Sequence, residues 1–369
     1  MSTLICQMCG RKYALNEPVW QCVCGGLLDL HITSELPVKK LKERPPTMWR
    51  YREMLPIELD KNIVSMNEGF TPLIETKISD KKIIFKQDYL FPTGSFKDRG
   101  ASVLISKLKE LGIKRVIIDS SGNAGCAIAA YCARAGIKCM VLVPENTSGE
   151  KLTQIRSYGA KLFVVQGTRD ETAHVALEMA EKIYYASHYY NPFFFHGTKT
   201  FAYEICEQFE WQAPDSVVFP LGNGTLFLGA YIGFKELHKQ KIIKKIPKFI
   251  GIQTKACAPL FYMLKKGIQS IADIPVKLTI AEGIAIGRPP RARQLIEIIK
   301  KTEGTIITVS EAEIIKALKQ IYQQGIYIEP TSGAAVAGVN KYLKFANKKD
   351  LIVSALTGHG LKSHKKICF

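Results

Sequence analysis

Beyond residue 97 the chain alternates short, wholly apolar runs with stretches of helical spacing, and few architectures accept that pattern. Val116-Ile117-Ile118, Met140-Val141-Leu142-Val143 and Leu162-Phe163-Val164-Val165 alternate with helical stretches at 124–135, 149–158 and 171–184. Strands apolar at consecutive positions are buried on both faces, so strand, helix, strand at this spacing means a parallel sheet with crossover helices. A second series follows, with strands at 217–221, 248–253, 305–309 and 351–356 and helices at 225–238, 311–324 and 333–345. Two α/β units are implied, with no internal repeat.

At 369 residues, 47% of them apolar, the chain has room for two packed domains and a small appendage. It has no apolar run of membrane length and no charged start followed by an apolar stretch, so a cytoplasmic protein is expected. The net charge of +18 suggests anionic company. Yet the densest basic runs, Lys244-Lys245, Lys348-Lys349 and Lys365-Lys366, are short and carry no interleaved aromatic residues. That is a solvated basic surface rather than a nucleic-acid groove.

Four of the ten cysteines, Cys6, Cys9, Cys22 and Cys24, form two close pairs in "CQMCG" and "CVCGG". Such pairs can supply four thiolates to one tetrahedral zinc, which would fold a segment too small to hold a core. The second pair is C-x-C, one residue tighter than the usual knuckle. The other six, among them Cys126, Cys132 and Cys139, sit alone in apolar contexts and read as reduced core residues. Residues 35–60 mix prolines with charges and read as a linking segment.

Active sites in parallel sheets gather where strands end and helices begin. "DSSGNAG" (119–125) stands at such a place and can offer backbone N–H groups and short polar side chains to a carboxylate. "PLGNGTLFLG" (220–229) stands at another. There Gly222 and Gly224 admit close backbone approach while Asn223 and Thr225 add donors, a cradle suited to phosphate. It is not a Walker loop, for no Gly-Lys-Ser/Thr follows. "LTGHGLKS" (356–363) ends the last strand and offers the hydroxyl of Thr357. Finally, "PTGSFKDRG" (92–100) puts Lys97 at or just before a helix start, where the partial positive charge disfavours an ammonium. Lysine forms an imine only as the free amine. A lysine so placed, a phosphate cradle and a carboxylate loop together describe a pyridoxal-phosphate site.

In order, "TGSFKDRG", "SSGNAG", "LGNGT", "EPTSGAA" and "TGHGLK" resemble the threonine synthase family of fold-type-II pyridoxal-phosphate enzymes, over nearly the whole chain and including the cysteine-rich N-terminal ribbon. The resemblance implies two open parallel-sheet α/β domains of the tryptophan synthase β-like kind behind a zinc-ribbon-like segment at 1–34. The large cofactor-binding domain would comprise 35–100 and 200–369, the smaller mobile one 101–199, and the protein would be a homodimer. Lys97 would carry the cofactor as an imine and act as the base. Asn123 would bond the ring hydroxyl; Ser121, Gly122, Asn123 and Ala124 would face the substrate carboxylate. Gly222, Asn223, Gly224 and Thr225 would hold the cofactor phosphate, and Thr357 would meet the pyridine nitrogen.

One departure bears on substrate. The family's substrate-phosphate segment reads close to N-S-x-N-P-x-R-x-x-G-Q-K-T, whereas "HYYNPFFFHGTKT" runs from His188 to Thr200 and puts Phe194 in the arginine position. Lys199, His188, His196 or a residue elsewhere would then take the phosphate, or the substrate would not be phosphohomoserine. The implied reaction turns O-phospho-L-homoserine and water into L-threonine and phosphate. The alternative with the same cofactor is β-elimination or β-replacement on another amino acid, of the serine/threonine dehydratase, diaminopropionate ammonia-lyase or cysteate synthase type. A catalytically silent scaffold drawn to nucleic acid by its charge is the reading from another class.

Overall fold

The computed structural model describes residues 2–78, 81–145, 147, 149–267, 274 and 276–363, so Lys365-Lys366 lies outside the described residues. Two compact units emerge, Met1–Phe70 with Lys97–Thr200, and Thr71–Phe96 with Phe201–Phe369.

The first unit opens with a three-stranded antiparallel sheet of β1 (Thr3–Cys6), β2 (Lys12–Tyr13) and β3 (Leu28–His31), in the order β2-β1-β3. Its Leu4 and Leu28 are fully buried and join the apolar cluster that holds Ala101, Leu104 and Ile128. Behind it runs a four-stranded parallel sheet, ordered β8-β7-β6-β9, of β6 (Arg115–Ile118), β7 (Lys138–Pro144), β8 (Lys161–Val165) and β9 (Tyr184–Tyr185). Its helices are α1 (Lys97–Glu110), α2 (Asn123–Ala135), α3 (Gly149–Ser157), α4 (Arg169–Met179) and α5 (Pro192–Thr198). Helix α2 is made of small residues because it is buried nearly all round, Ala124 to Cys132 without a break. Helix α4 starts from a Thr168–Glu171 capping box and ends earlier than its expected limit of 184, so that Tyr184 and Tyr185 pair with β6.

The stretch 35–70, expected with the C-terminal domain, packs instead on α1. Val64 N–H donates to Ser106 Oγ at 2.8 Å, Ser102 Oγ donates to Val64 O at 2.9 Å, and Met48 and Leu55 bury against Val103. Three short 3-10 turns, at Val38–Glu43, Met48–Met54 and Asp60–Asn62, carry it.

The second unit is a six-stranded sheet ordered β12-β11-β10-β13-β5-β4. Its strands are β4 (Leu73–Ile78), β5 (Lys81–Lys86), β10 (Ser216–Pro220), β11 (Lys248–Thr254), β12 (Thr305–Val309) and β13 (Ile352–Ala355). The sheet is mixed where a wholly parallel one was expected, because β4 and β5 form an antiparallel hairpin with Leu73 opposite Lys86. Helices α6 (Thr200–Gln208), α7 (Thr225–Lys239), α8 (Pro259–Lys266), α9 (Ala292–Lys301), α10 (Glu311–Tyr322) and α11 (Pro330–Tyr342) complete the chain. Among the described residues no helix is long and apolar enough to cross a membrane.

Lys86 ends β5 fully buried, which its strand pattern alone forbids. Its Nζ sits 2.8 Å from the equally buried Glu204 carboxylate and also donates to Thr71 O at 2.6 Å and Gln208 Oε1 at 2.9 Å. A buried ammonium is tolerated when its charge and all its protons are met in this way.

Candidate active site

In the first unit, the backbone turns from β6 into α2 through Asp119 to Gly122, and α2 begins at Asn123. Gly122, the residue before the helix, offers no side-chain cap, and the partial positive charge of the α2 N-terminus lies at this loop. Ser121, Gly122 and Asn123 are half-buried and Ala124 is buried. Gly125 is obligatory for the turn, since a Cβ there would lie 1.8 Å from Ser120 O.

Lys97 is the first residue of α1, half-buried, with Nζ 5.7 Å from the centroid of the Phe194 ring. Phe194 is fully buried on α5 and lies against Gly100, where an added Cβ would meet its ring at 2.3 Å. Likewise a Cβ on Gly197 would fall 2.0 Å from Arg99 O. Two glycines, one on each element, thus let the backbones of α1 and α5 approach, and Arg99 Nη1 fastens them by donating to Thr200 Oγ1 at 2.9 Å. Lys199 caps α5 and is fully buried. His188 is buried too; burial, then the neighbouring Lys97 charge, holds its pKa well below the ordinary imidazole value. The ring is therefore neutral, and among the described residues its Nδ1 has no hydrogen-bond partner.

In the second unit, β10 turns into α7 through Leu221 to Gly224. Gly224 adopts φ +73°, and a Cβ there would meet Leu295 at 2.4 Å; one on Gly222 would lie 2.9 Å from Ile284 Cα. The loop is therefore walled by α9 and by the 281–286 segment, whose Gly283 N–H donates to Thr331 Oγ1 at 3.1 Å. Gly224 gives α7, a 15-residue helix beginning at Thr225, no side-chain cap, so the partial positive charge of its N-terminus lies at this turn. Asn223 is half-buried and Thr225 buried in this turn.

Thr357, after β13, is held by a residue to which the sequence reading assigned no role. Ser332 Oγ accepts N–H bonds from Thr357 at 2.8 Å and Gly358 at 3.1 Å, and lies 3.1 Å from Thr357 Oγ1. Phe96 N–H, one residue before Lys97, donates to Thr357 O at 3.0 Å. Ser332 lies inside "EPTSGAA", and its place in that motif was the available signal.

The four N-terminal cysteines converge, with all four sulfur atoms within 4.8 Å of one another. Cys6 and Cys24 Sγ are 3.6 Å apart, as are Cys9 and Cys22. A backbone N–H at Cys24 and the Tyr13 hydroxyl lower the pKa of Cys22 to about 6. Cys24 goes the other way: the Gly26 N–H lowers it, but the neighbouring sulfurs of Cys22 and Cys9 outweigh that and push it up to about 12. Sulfurs crowded so closely cannot all ionise without a cation among them.

The pyridoxal-phosphate dependent enzyme family model matches residues 64–358. A Methanocaldococcus jannaschii protein named threonine synthase is 38% identical over 372 residues, covering 97% of this chain and 92% of that one. Its Methanosarcina acetivorans namesake is 34% identical, covering 100% and 94%. Among solved structures, the processed form of threonine deaminase isoform 2 from Solanum lycopersicum superposes with a TM-score of 0.69 over 95% of this chain and 94% of that one; at 24% identity it shares the fold. With the family model matching residues 64–358 and two relatives alike over nearly their whole length, the chain belongs to the threonine synthase family of fold-type-II pyridoxal-phosphate-dependent enzymes.

Proposed function

We propose that the protein is a threonine synthase, converting O-phospho-L-homoserine and water to L-threonine and phosphate. The observation that carries the reading is end-to-end likeness to the Methanocaldococcus jannaschii protein of that name, 38% identical over 97% of this chain. The residues present fit pyridoxal phosphate, because Gly222 and Gly224 let the 221–224 turn pack tightly against Ile284 and Leu295 and α7 opens there without a side-chain cap, a backbone turn at a helix N-terminus of the kind that suits a phosphate. Gly222, Asn223, Gly224 and Thr225 would hold the phosphate, Asn123 and Thr357 the ring, and Lys97 the aldehyde. When bound, the group supplies an electron sink for the electrons left at Cα or Cβ of an amino acid.

The chain's own residues do the rest. Lys97, as free amine, would take protons from Cα and Cβ of the substrate as phosphate departs from Cγ, then return one to Cγ and, after water adds at Cβ, one to Cα. The N–H groups opening α2, with Ser121, Gly122 and Ala124, orient the substrate carboxylate. Thr357 presents a hydroxyl where a carboxylate would enforce ring protonation, a choice that suits elimination and replacement better than transamination. Lys199 supplies the positive charge on α5 toward the substrate phosphate in place of the arginine, as a point charge without the bidentate fork. The four thiolates would hold a structural zinc, and a cytoplasmic homodimer remains the expected working form.

The fully buried Phe194 favours a second reading, elimination or replacement on a different amino acid, since no guanidinium stands at that position. Incubating the cofactor-loaded protein with O-phosphohomoserine and, separately, with serine, threonine and O-phosphoserine decides between them. Phosphate plus threonine from the first supports the synthase. Ketoacid or a sulfite-dependent product from the others, with no threonine from the first, rejects it.

A further inference from the structure

The cysteine cluster and the 188–200 segment belong to one unit, and two separate contacts join them. Cys6 ends β1 directly opposite Leu28, which begins β3. Cys22 and Cys24 lie in a turn closed by Cys22 N–H to Gly26 O at 3.0 Å and Gly25 N–H to Cys22 O at 2.8 Å, and that turn leads straight into β3. There is no slack in it: a Cβ on Gly26 would lie 2.5 Å from Cys6 Sγ. Two residues along β3, Leu30 O sits 3.0 Å from His196 Nε2 on α5. A carbonyl only accepts, so Nε2 carries the proton; burial keeps the ring neutral, and among the described residues Nδ1 has no hydrogen-bond partner. The second contact comes from the loop between Cys9 and Cys22. Trp20 stands edge-on to Tyr185 at 5.1 Å and Tyr190 at 5.6 Å, and Tyr184 OH donates to Val19 O at 3.4 Å while accepting from Asn191 Nδ2 at 2.8 Å.

We propose that the four cysteines form a site for a thiophilic divalent cation of the zinc type whose occupancy positions the 188–200 segment, with the Leu30–His196 bond and the Trp20 contacts as the link. His196 is a positioning residue: it touches β3, while Phe194 of the same helix packs against Gly100 of α1. One cation held by four sulfurs within 4.8 Å of one another would tie the end of β1 to the turn that leads into β3. Binding releases the thiol protons to solvent as four metal–sulfur bonds form. Losing the cation frees the Cys22–Gly26 turn, β3 loses its fixed register, and α5 loses the Leu30–His196 bond that ties it to β3. The functional consequence rests on reading 188–200 as the substrate segment; the structural one does not.

The test uses cofactor-loaded full-length protein. Metal analysis after purification with zinc, followed by chelation and reloading with Co(II), should give one ion per chain and the intense visible bands of tetrahedral tetrathiolate cobalt. Hydrogen exchange followed by mass spectrometry should show residues 192–198 exchanging about tenfold faster in the stripped protein than in the reloaded one, a readout that needs no substrate. His196→Leu should keep the metal yet show the same local loss, and should raise KM for O-phosphohomoserine about tenfold with a smaller change in kcat. His196→Gln, which can still donate to Leu30 O, should recover most of both. Absence of stoichiometric metal overturns the site. Unchanged exchange at 192–198 in metal-loaded His196→Leu overturns the link. A protein that binds cobalt and passes the exchange test but makes no threonine leaves the link standing and removes the substrate assignment instead.

Discussion

Replacing Ser332 by alanine isolates the support beneath Thr357. Ser332 is fully buried, and its Oγ accepts from two backbone N–H groups, of Thr357 at 2.8 Å and Gly358 at 3.1 Å. Removing it strands two buried donors, each costing about 1–3 kcal/mol. The cavity left by one hydroxyl is too small for a water with its own partners, so little is recovered. A loss of about 3–5 kcal/mol is expected. Urea unfolding of the cofactor-loaded protein should show it as a lower midpoint at unchanged slope. Ser216→Ala is the matched control in the same unit: that hydroxyl is buried too, and among the described residues it has no hydrogen-bond partner, so its removal should be neutral or slightly stabilising. If the two variants unfold at the same midpoint, the two N–H bonds do not hold the Thr357 turn and the reasoning fails.

Lys86→Met alone should cost about 3–5 kcal/mol by leaving Glu204 charged in the interior, while the double variant with Glu204→Leu should recover most of it, both read from denaturant midpoints. Gly224→Ala forces a side chain into φ +73° and against Leu295; about 2–4 kcal/mol of stability should go, with a weaker hold on pyridoxal phosphate in a spectrophotometric titration. His188 and His196 have folded pKa values depressed by burial, so the unfolded chain binds more protons below about pH 6.5 and stability must fall there as pH drops. Midpoints measured from pH 7.5 to 5 should show that fall, and His188→Gln should lessen the slope; a flat profile sinks the assignment.

Much of the α/β framework is legible because strands buried on both faces read as unbroken apolar runs, as at Val116-Ile117-Ile118. Helices with local start signals are legible for a similar reason, since Ser310 and Glu313 of the α10 capping box lie three residues apart. The β4–β5 hairpin is not. Its strand "KKIIFK" carries lysines at both ends, and the burial of Lys86 depends on Glu204, which no local window contains. The 35–70 stretch hides for another reason: its 3-10 turns have no regular apolar period, and its backbone bonds go to side chains of α1 distant in sequence, among them Ser102, Ser106 and Glu110.

The site divides along the same line. Lys97, the loop opening α2 and the 221–224 glycine turn can be proposed from the sequence alone because each is a contiguous motif whose chemistry is local. Ser332 is not, because its partners lie 25 and 26 residues further on. Phe194 shows the limit most sharply. A sequence comparison says that arginine is missing there, but only the structure shows what the phenylalanine does instead, closing onto Gly100 so that a methyl group would not fit between them. Restoring arginine would place a guanidinium in that apolar contact without a built partner, at the cost of a buried charge. The substitution and Gly100 must therefore be read together, and under the proposed synthase reading a substrate phosphate would have to be met by cations other than an arginine at this position.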